Sequence, residues 1–454
     1  MSARAFRGNE VISQGAARLA VACVPLAIAS AFLWPGGADI AAVILVVIGV
    51  AVLLRARGLA TQPPLALAGL WIAFLVLVAV YAMAWGAPGR PFKGLEKHLP
   101  LALGPFVAIA LSAACHRLGF DITRLVALFL AGLVGGALAL LVRSGALGMF
   151  AHGWPPQFSD DLLGKVNRNY AAMACGVSLI AIVALVAYLA VADHIRMAWR
   201  ALAIAMLVVI FVGEGILLTV LQSRTGYVAT AIGLVVWCGL MMRAGLRGAG
   251  LRAGLAIPVA IAIVAAAGVV YSFPLISERL SAGGSTAVYL TQMYGLLRGN
   301  AVDAASMSII GAERLQLVAV ALDLIRQRPW LGWGPDASQL ITLFSPYPDI
   351  RDLTQFHNGY LQVLVSFGIV GGVLNAALVV ALLWSALRRR RANSADRLAP
   401  SLFAATVALV AYVLVTNVTE SIVFVKPVGI ICMILAALAC MKDRASAGDS
   451  LRRT

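Results

Sequence analysis

Residues 199–221 read WRALAIAMLVVIFVGEGILLTVL, residues 222–226 read QSRTG, and residues 227–242 read YVATAIGLVVWCGLMM. Two apolar runs, each close to the roughly 20 residues that a helix needs to cross bilayer hydrocarbon, meet at a polar turn of about four residues. The same unit recurs outward in both directions. We read about twelve spanning helices, at 17–34, 38–54, 65–86, 99–115, 122–142, 169–192, 199–221, 225–242, 253–273, 357–387, 399–420 and 427–441. The chain is therefore expected to be an all-α polytopic membrane protein, with a long helical segment between the ninth and tenth spans. Pro and Gly mark several span ends, as in Trp34-Pro35-Gly36-Gly37.

Composition agrees. Apolar residues make up 62% of the chain, charged residues 12%, and the mean hydropathy is +0.94. A soluble domain of this length does not look like that, because spanning helices here replace a core formed in water. The net charge of +16 could suggest nucleic acid, but the basic residues cluster between apolar runs, as topology signals do. The N-terminus and every second loop hold 21 of the 35 basic residues with 6 acids, whereas the opposite side holds 14 with 13 acids. Basic excess marks the cytoplasm, so both termini are expected inside and the long segment outside. The polar, basic stretch from Met1 to Arg18 has no convincing cleavage site after it and reads as the start of an uncleaved first helix. Cys23, Cys115, Cys175, Cys238, Cys432 and Cys440 all fall in apolar runs and read as small core residues.

Three parts follow: residues 1–273 with nine spans and an outer loop at 143–168, the outer segment 274–356, and residues 357–454 with three spans and a cytoplasmic tail. In the outer segment, Leu315, Val318, Leu322 and Ile325 recur at helical spacing opposite Glu313, Gln316, Asp323 and Arg326. That pattern predicts an amphipathic helix over 312–328, ended by Pro329 and followed by the aromatic turn Trp330-Leu331-Gly332-Trp333-Gly334-Pro335. A shorter helix is expected over 286–298.

Neither a phosphate-binding glycine loop, a dinucleotide fingerprint nor a paired-cysteine metal site is present in the sequence. No metal or cofactor is expected. An enzyme working outside the cytoplasm lacks a nucleotide pool and must take its donor from the lipid. The outer side instead carries cations: Arg224 in the turn between two spans, Arg314 early in the amphipathic helix, Lys165 and Arg168 before another span, and Arg90, Lys93 and Lys97 in a short loop. An arginine fork matches phosphate oxygens, so converging arginines could clamp a diphosphate; each alone could equally snorkel to lipid phosphate. Ser223 or Thr225 could cap the helix that follows. His357, at an outer helix start in His357-Asn358-Gly359-Tyr360, could accept a proton from an attacking hydroxyl. Its bland alternative is an interfacial histidine bonded to backbone. Glu214 lies within a span, where a carboxylate without a partner is costly. A transporter would show broken helices and charges at mid-depth, whereas here nearly all polar signal lies at one face.

Four motifs, in order, carry a resemblance: Asn167-Arg168-Asn169-Tyr170-Ala171; Gln222-Ser223-Arg224-Thr225-Gly226-Tyr227; Glu313-Arg314 leading to Arg328-Pro329-Trp330-Leu331-Gly332-Trp333-Gly334; and His357-Asn358-Gly359-Tyr360 followed by Phe367-Gly368-Ile369-Val370-Gly371. Across residues 160–375 the chain resembles the O-antigen ligase superfamily of ligases, O-antigen polymerases and pilin O-oligosaccharyltransferases. The resemblance implies a bacterial inner-membrane enzyme with its site facing the periplasm. It implies undecaprenyl-diphosphate-linked polysaccharide as donor, lipid A–core as acceptor and no nucleic-acid partner. Carried over by position, His357, Arg224 and Arg314 would be catalytic, with Lys165, Arg168, Asn169, Arg90, Lys93, Asn358 and Tyr360 binding substrate. The polymerase pattern, an outer arginine with glycine eleven positions on, is missing, which favours a ligase. A lipid-linked glycan flippase is the rival class.

Overall fold

In the computed structural model, residues 11–55, 63–86, 91–145, 167–191, 195–221, 223–245, 286–298, 309–392, 399–421 and 425–441 are described. They are all-α. In chain order the helices are α1 (Gln14–Leu33), α2 (Pro35–Arg55), α3 (Pro63–Ala84), α4 (Pro91–Leu95), α5 (Pro100–Leu118), α6 (Ile122–Arg143), α7 (Arg168–Val191), α8 (Met197–Val220), α9 (Arg224–Gly245), α10 (Thr286–Leu297), α11 (Ile309–Gln327), α12 (Leu340–Phe344), α13 (Gly359–Ala392), α14 (Ala399–Thr419) and α15 (Lys426–Cys440). Nine of them are long and apolar enough to cross a membrane, and α14 and α15 are shorter apolar helices, all among the described residues. Helices therefore stand at eleven of the twelve expected positions, within a few residues of their expected ends, nine of them meeting the length for a span. The expected span at 253–273 and most of the loop at 143–168 lie outside the described residues.

Local signals set the helix ends. Ser13 accepts from the Ala16 amide at 3.2 Å to cap α1, and Asp121 accepts from Thr123 at 3.0 Å to cap α6. Without a water-driven force between helices, association depends on close backbone approach. A Cβ on Gly104 would lie 2.5 Å from that of Ala436, so α5 and α15 touch there with no room for a side chain. Helix α7 is the axis of the bundle: 89% of its spanning window is buried, against 17% for α8 at the periphery. Small residues Ala171, Ala172, Ala174 and Gly176 let α6, α9 and α14 close around it. All six cysteines are free, in the helices.

Helices α10 and α11 form at the positions expected for them, but the buried arc of α11 is rotated. Leu317, Val320, Ala321 and Leu324 are buried with Leu315, while Val318, Leu322 and Ile325 are only half-buried, and Gln316 faces inward. Apolar residues surround this helix almost completely, so its periodicity left the inward arc open and packing against α13 chose it.

Helix α13 is broken, a feature the sequence had not announced. At Gly368, φ is 61° and ψ −166°, and the residues Pro329 to Gly334 lie across the break as a strap. Trp333 and Gly334 donate to the carbonyls of Val365 and Ser366, each at 2.9 Å. The amides of Ile369 and Val370 donate back to the carbonyls of Pro329 and Trp330, at 2.7 and 3.2 Å. The backbone groups that the break would orphan are thus satisfied by protein. A Cβ at Gly368 would sit 2.3 Å from the Trp330 carbonyl carbon, so glycine is required both by the positive φ and by the strap.

Candidate active site

At one end of the bundle, the starts of α7, α9 and α13 meet the end of α14 and the second turn of α11. The centre of this meeting is Glu420, 6% exposed, directly after α14. Its Oε2 lies 2.8 Å from His357 Nδ1. Its Oε1 accepts from Arg314 at 2.8 Å and from Asn169 Nδ2 at 2.9 Å. Arg314 also donates to the Thr419 carbonyl at 3.0 Å. A carboxylate that accepts from a guanidinium and an amide is an acceptor toward the imidazole as well, so Nδ1 carries a proton, and in the neutral ring the lone pair falls to Nε2. An orienting carboxylate on one ring nitrogen and a free base on the other is the division of labour seen in nucleophile-activating dyads.

Several local features hold the imidazole there. His357 has φ 48°, and among the described residues no other non-glycine has a positive φ. That backbone costs about 1–2 kcal/mol and persists only where its surroundings over-determine it. Asn358 Oδ1 caps α13 by accepting from the amides of Tyr360 and Leu361, both at 3.0 Å. Gly359 abuts the side chain of Asn417, and Tyr360 donates its hydroxyl to the Leu414 carbonyl at 2.9 Å. The start of α13 is thereby pinned along α14.

The structure sorts the expected site residues. His357, Arg314 and Asn169 share one network. Arg224, the exposed first residue of α9, stands between Ser223, bonded to Asn169 at 3.0 Å, and Thr225, bonded to the Thr419 hydroxyl at 2.5 Å. Ser223 also caps α9, accepting from Gly226 at 3.2 Å, the role anticipated for it. Arg168 opens α7 beside Asn169. Asn358 and Tyr360 brace α13 as described. Lys93 falls in α4, whose Gly94 packs on Pro335 of the strap, away from these contacts, and its side chain lies outside the described ones. Lys165 and Arg90 lie outside the described residues. Glu214 is buried in α8 and takes no part in the network. Sequence reading missed Glu420. Its signal in the chain is an acid closing an apolar run, in Asn417-Val418-Thr419-Glu420.

A second histidine, His98, contrasts with His357. His98, 5% exposed, donates from Nε2 to the Pro335 carbonyl at 3.3 Å and meets Phe367 edge-on at 4.6 Å. Burial drives its pKa down to about 3; the Pro335 bond opposes this and Lys97 adds to it. It is a structural histidine under the strap.

An all-α membrane protein with a carboxylate-tethered histidine and arginines at one end of the bundle is the class defined so far. Residues 206–376 match a family model described as O-antigen ligase, a stretch that contains Arg224, Arg314, His357 and Gly368. Over that stretch the chain is similar to the O-antigen ligase family, which supports an enzyme of the ligase and polymerase kind acting on lipid-linked polysaccharides. No curated protein matches it. Asn169 and Glu420 lie outside the matched stretch.

Proposed function

We propose that this protein is an O-antigen ligase of the bacterial inner membrane. Both termini are cytoplasmic and the site faces the periplasm. It transfers O-antigen polysaccharide from undecaprenyl diphosphate to lipid A–core. The observation that carries the mechanism is the 2.8 Å contact between His357 Nδ1 and Glu420. With Nδ1–H held, Nε2 takes the proton of the acceptor hydroxyl as its oxygen attacks the anomeric carbon. The bond from that carbon to the diphosphate breaks, the leaving group keeps the electron pair, and the configuration inverts. Glu420 stabilises the imidazolium that forms.

Diphosphate needs neutralisation rather than protonation, and preorganised arginines supply that without requiring a metal. Arg224 is exposed at the first turn of α9, where the helix amides and dipole also favour an anion. Arg314 has two of its donors on Glu420 and Thr419, and the rest of its fork can meet the donor's phosphates. Arg168 and Lys165 assist. The missing polymerase pattern supports ligation over polymerisation.

The test is transfer by the detergent-purified protein from an undecaprenyl-diphosphate glycan, with chelator present, to lipid A–core or to pilin offered separately. Product on lipid A–core is expected. Product on pilin, or elongation of the donor itself, reassigns the acceptor within the family. Movement of labelled lipid with no glycosidic product makes the protein a flippase. Glu420→Gln should lower kcat about 10- to 100-fold by removing the charge that holds Arg314 and the imidazolium. An unchanged kcat removes Glu420 from the mechanism.

A further inference from the structure

We propose that Ser223 and Asn169 are positioning residues that lock Glu420, and through it His357, in register with the turn carrying Arg224. The inference rests on the reading of His357 as the base and deepens it.

Geometry makes each link directional. Ser223 Oγ already accepts from the Gly226 amide, so its hydroxyl proton is available for Asn169 Oδ1 at 3.0 Å. That contact fixes which end of the Asn169 amide points where: oxygen to Ser223, nitrogen to Glu420 at 2.9 Å. Asn169 is itself anchored, its backbone amide donating to Asn167 Oδ1 at 2.8 Å. Glu420 Oε1 is therefore held from two sides, by Asn169 and by Arg314, and only Oε2 is left to face the imidazole. On the other flank of Arg224, Thr225 bonds the Thr419 hydroxyl, and the carbonyl of the same Thr419 receives Arg314. The residues immediately before and after Arg224 are thus tied to both the carboxylate and the guanidinium that surround the base.

Such wiring has a mechanical consequence. A donor anion seated at Arg224 bears on the one turn whose neighbours set the carboxylate plane. A displacement of about 1 Å in a reacting group costs on the order of 100-fold in rate, so a relay built from half-buried hydrogen bonds is a sensitive way to assemble the base only over a bound donor. Both side chains suit that task better than sugar recognition, because Ser223 is 3% exposed and both ends of the Asn169 amide have protein partners.

The experiment uses the purified full chain as Ser223→Ala, Asn169→Ala and the double variant. Each single change should lower kcat about 10- to 100-fold, and the double variant should be no more than about threefold slower than the slower single, because both cut one relay. Losses that multiply would overturn the proposal. A second readout needs no substrate. With 15N-labelled histidine, the His357 signal, identified by its disappearance in His357→Gln, should report a single Nδ1–H tautomer in the wild type and mixed tautomers in the variants. Asn169→Asp, nearly isosteric, should also mix them by setting a second carboxylate against Glu420 if an alanine variant does not accumulate. An unmixed tautomer throughout overturns the relay even if the wild type makes product. A wild type that makes no product with any acceptor overturns the glycosyl-transfer reading instead, and the tautomer signal still judges the relay.

Discussion

His98 and His357 lie within reach of the two ends of the same broken helical segment, and they differ in almost every physical respect. His98 sits under the strap among Phe367, Trp71 and Pro335, buried and electrically neutral. His357 stands at the start of α13 with a quarter of its side chain exposed, one nitrogen on a carboxylate and an arginine behind that carboxylate. The strap region is held by backbone hydrogen bonds and aromatic edges; the Glu420 region is held by charged and neutral polar side chains from five separate elements. One builds rigidity, the other orients an imidazole for the role of base proposed above, and α13 joins them across Gly368.

That contrast can be broken at several points. His357→Gln should reduce transfer about 10²- to 10⁴-fold, as expected for loss of a general base, while the protein still accumulates in the membrane. A variant that transfers at the wild-type rate would move the base elsewhere. His98 makes the opposite kind of prediction. Its folded pKa of about 3 lies below the ordinary 6.5, so the unfolded chain binds the extra proton between those values. Stability from the neutral, buried ring is complete above about pH 6.5 and is lost as pH falls toward 3, by on the order of 5 kcal/mol in all. The thermal midpoint of purified wild type should fall through that window, and that of His98→Gln should fall much less; parallel curves would mean that His98 is not the group titrating.

Gly368→Ala forces a Cβ into the Trp330 carbonyl at a positive φ and should cost about 2–4 kcal/mol of stability. If the strap does fix α13, kcat falls with it; stability loss at full kcat would separate the two regions. The smallest effect is expected at Arg328, whose guanidinium lies 3.4 Å from the centre of the Trp85 ring and 4.5 Å from that of Trp333. Arg328→Gln should cost about 1–2 kcal/mol in the same melting assay with little change in transfer. A loss of transfer larger than the loss of stability would draw Arg328 into the site.

Much of the site was readable because its parts interrupt apolar runs. Arg224 and His357 stand out where an apolar run gives way to polar residues, Arg314 early in an amphipathic helix, and the structure puts Arg314 and His357 on one carboxylate. Glu420 was not readable in the same way. Its chemistry depends on three partners, at positions 169, 314 and 357, and no local pattern in the chain encodes such a meeting. The transporter contrast also needed revision. Helix α13 is interrupted, but the gap is filled by the strap, whose backbone satisfies the groups that a transporter would turn toward an ion.

The sequence alone determined the apolar helices found among the described residues and the cations near helix starts, because bilayer thickness and the cost of unpaired backbone in lipid leave an apolar run of that length few alternatives. Tertiary structure decided which arc of α11 turns inward, where α13 breaks, and that Glu420 rather than Glu214 meets the imidazole. Those choices depend on contacts between distant segments, where apolar surface is nearly uniform and only packing and a few directed hydrogen bonds discriminate.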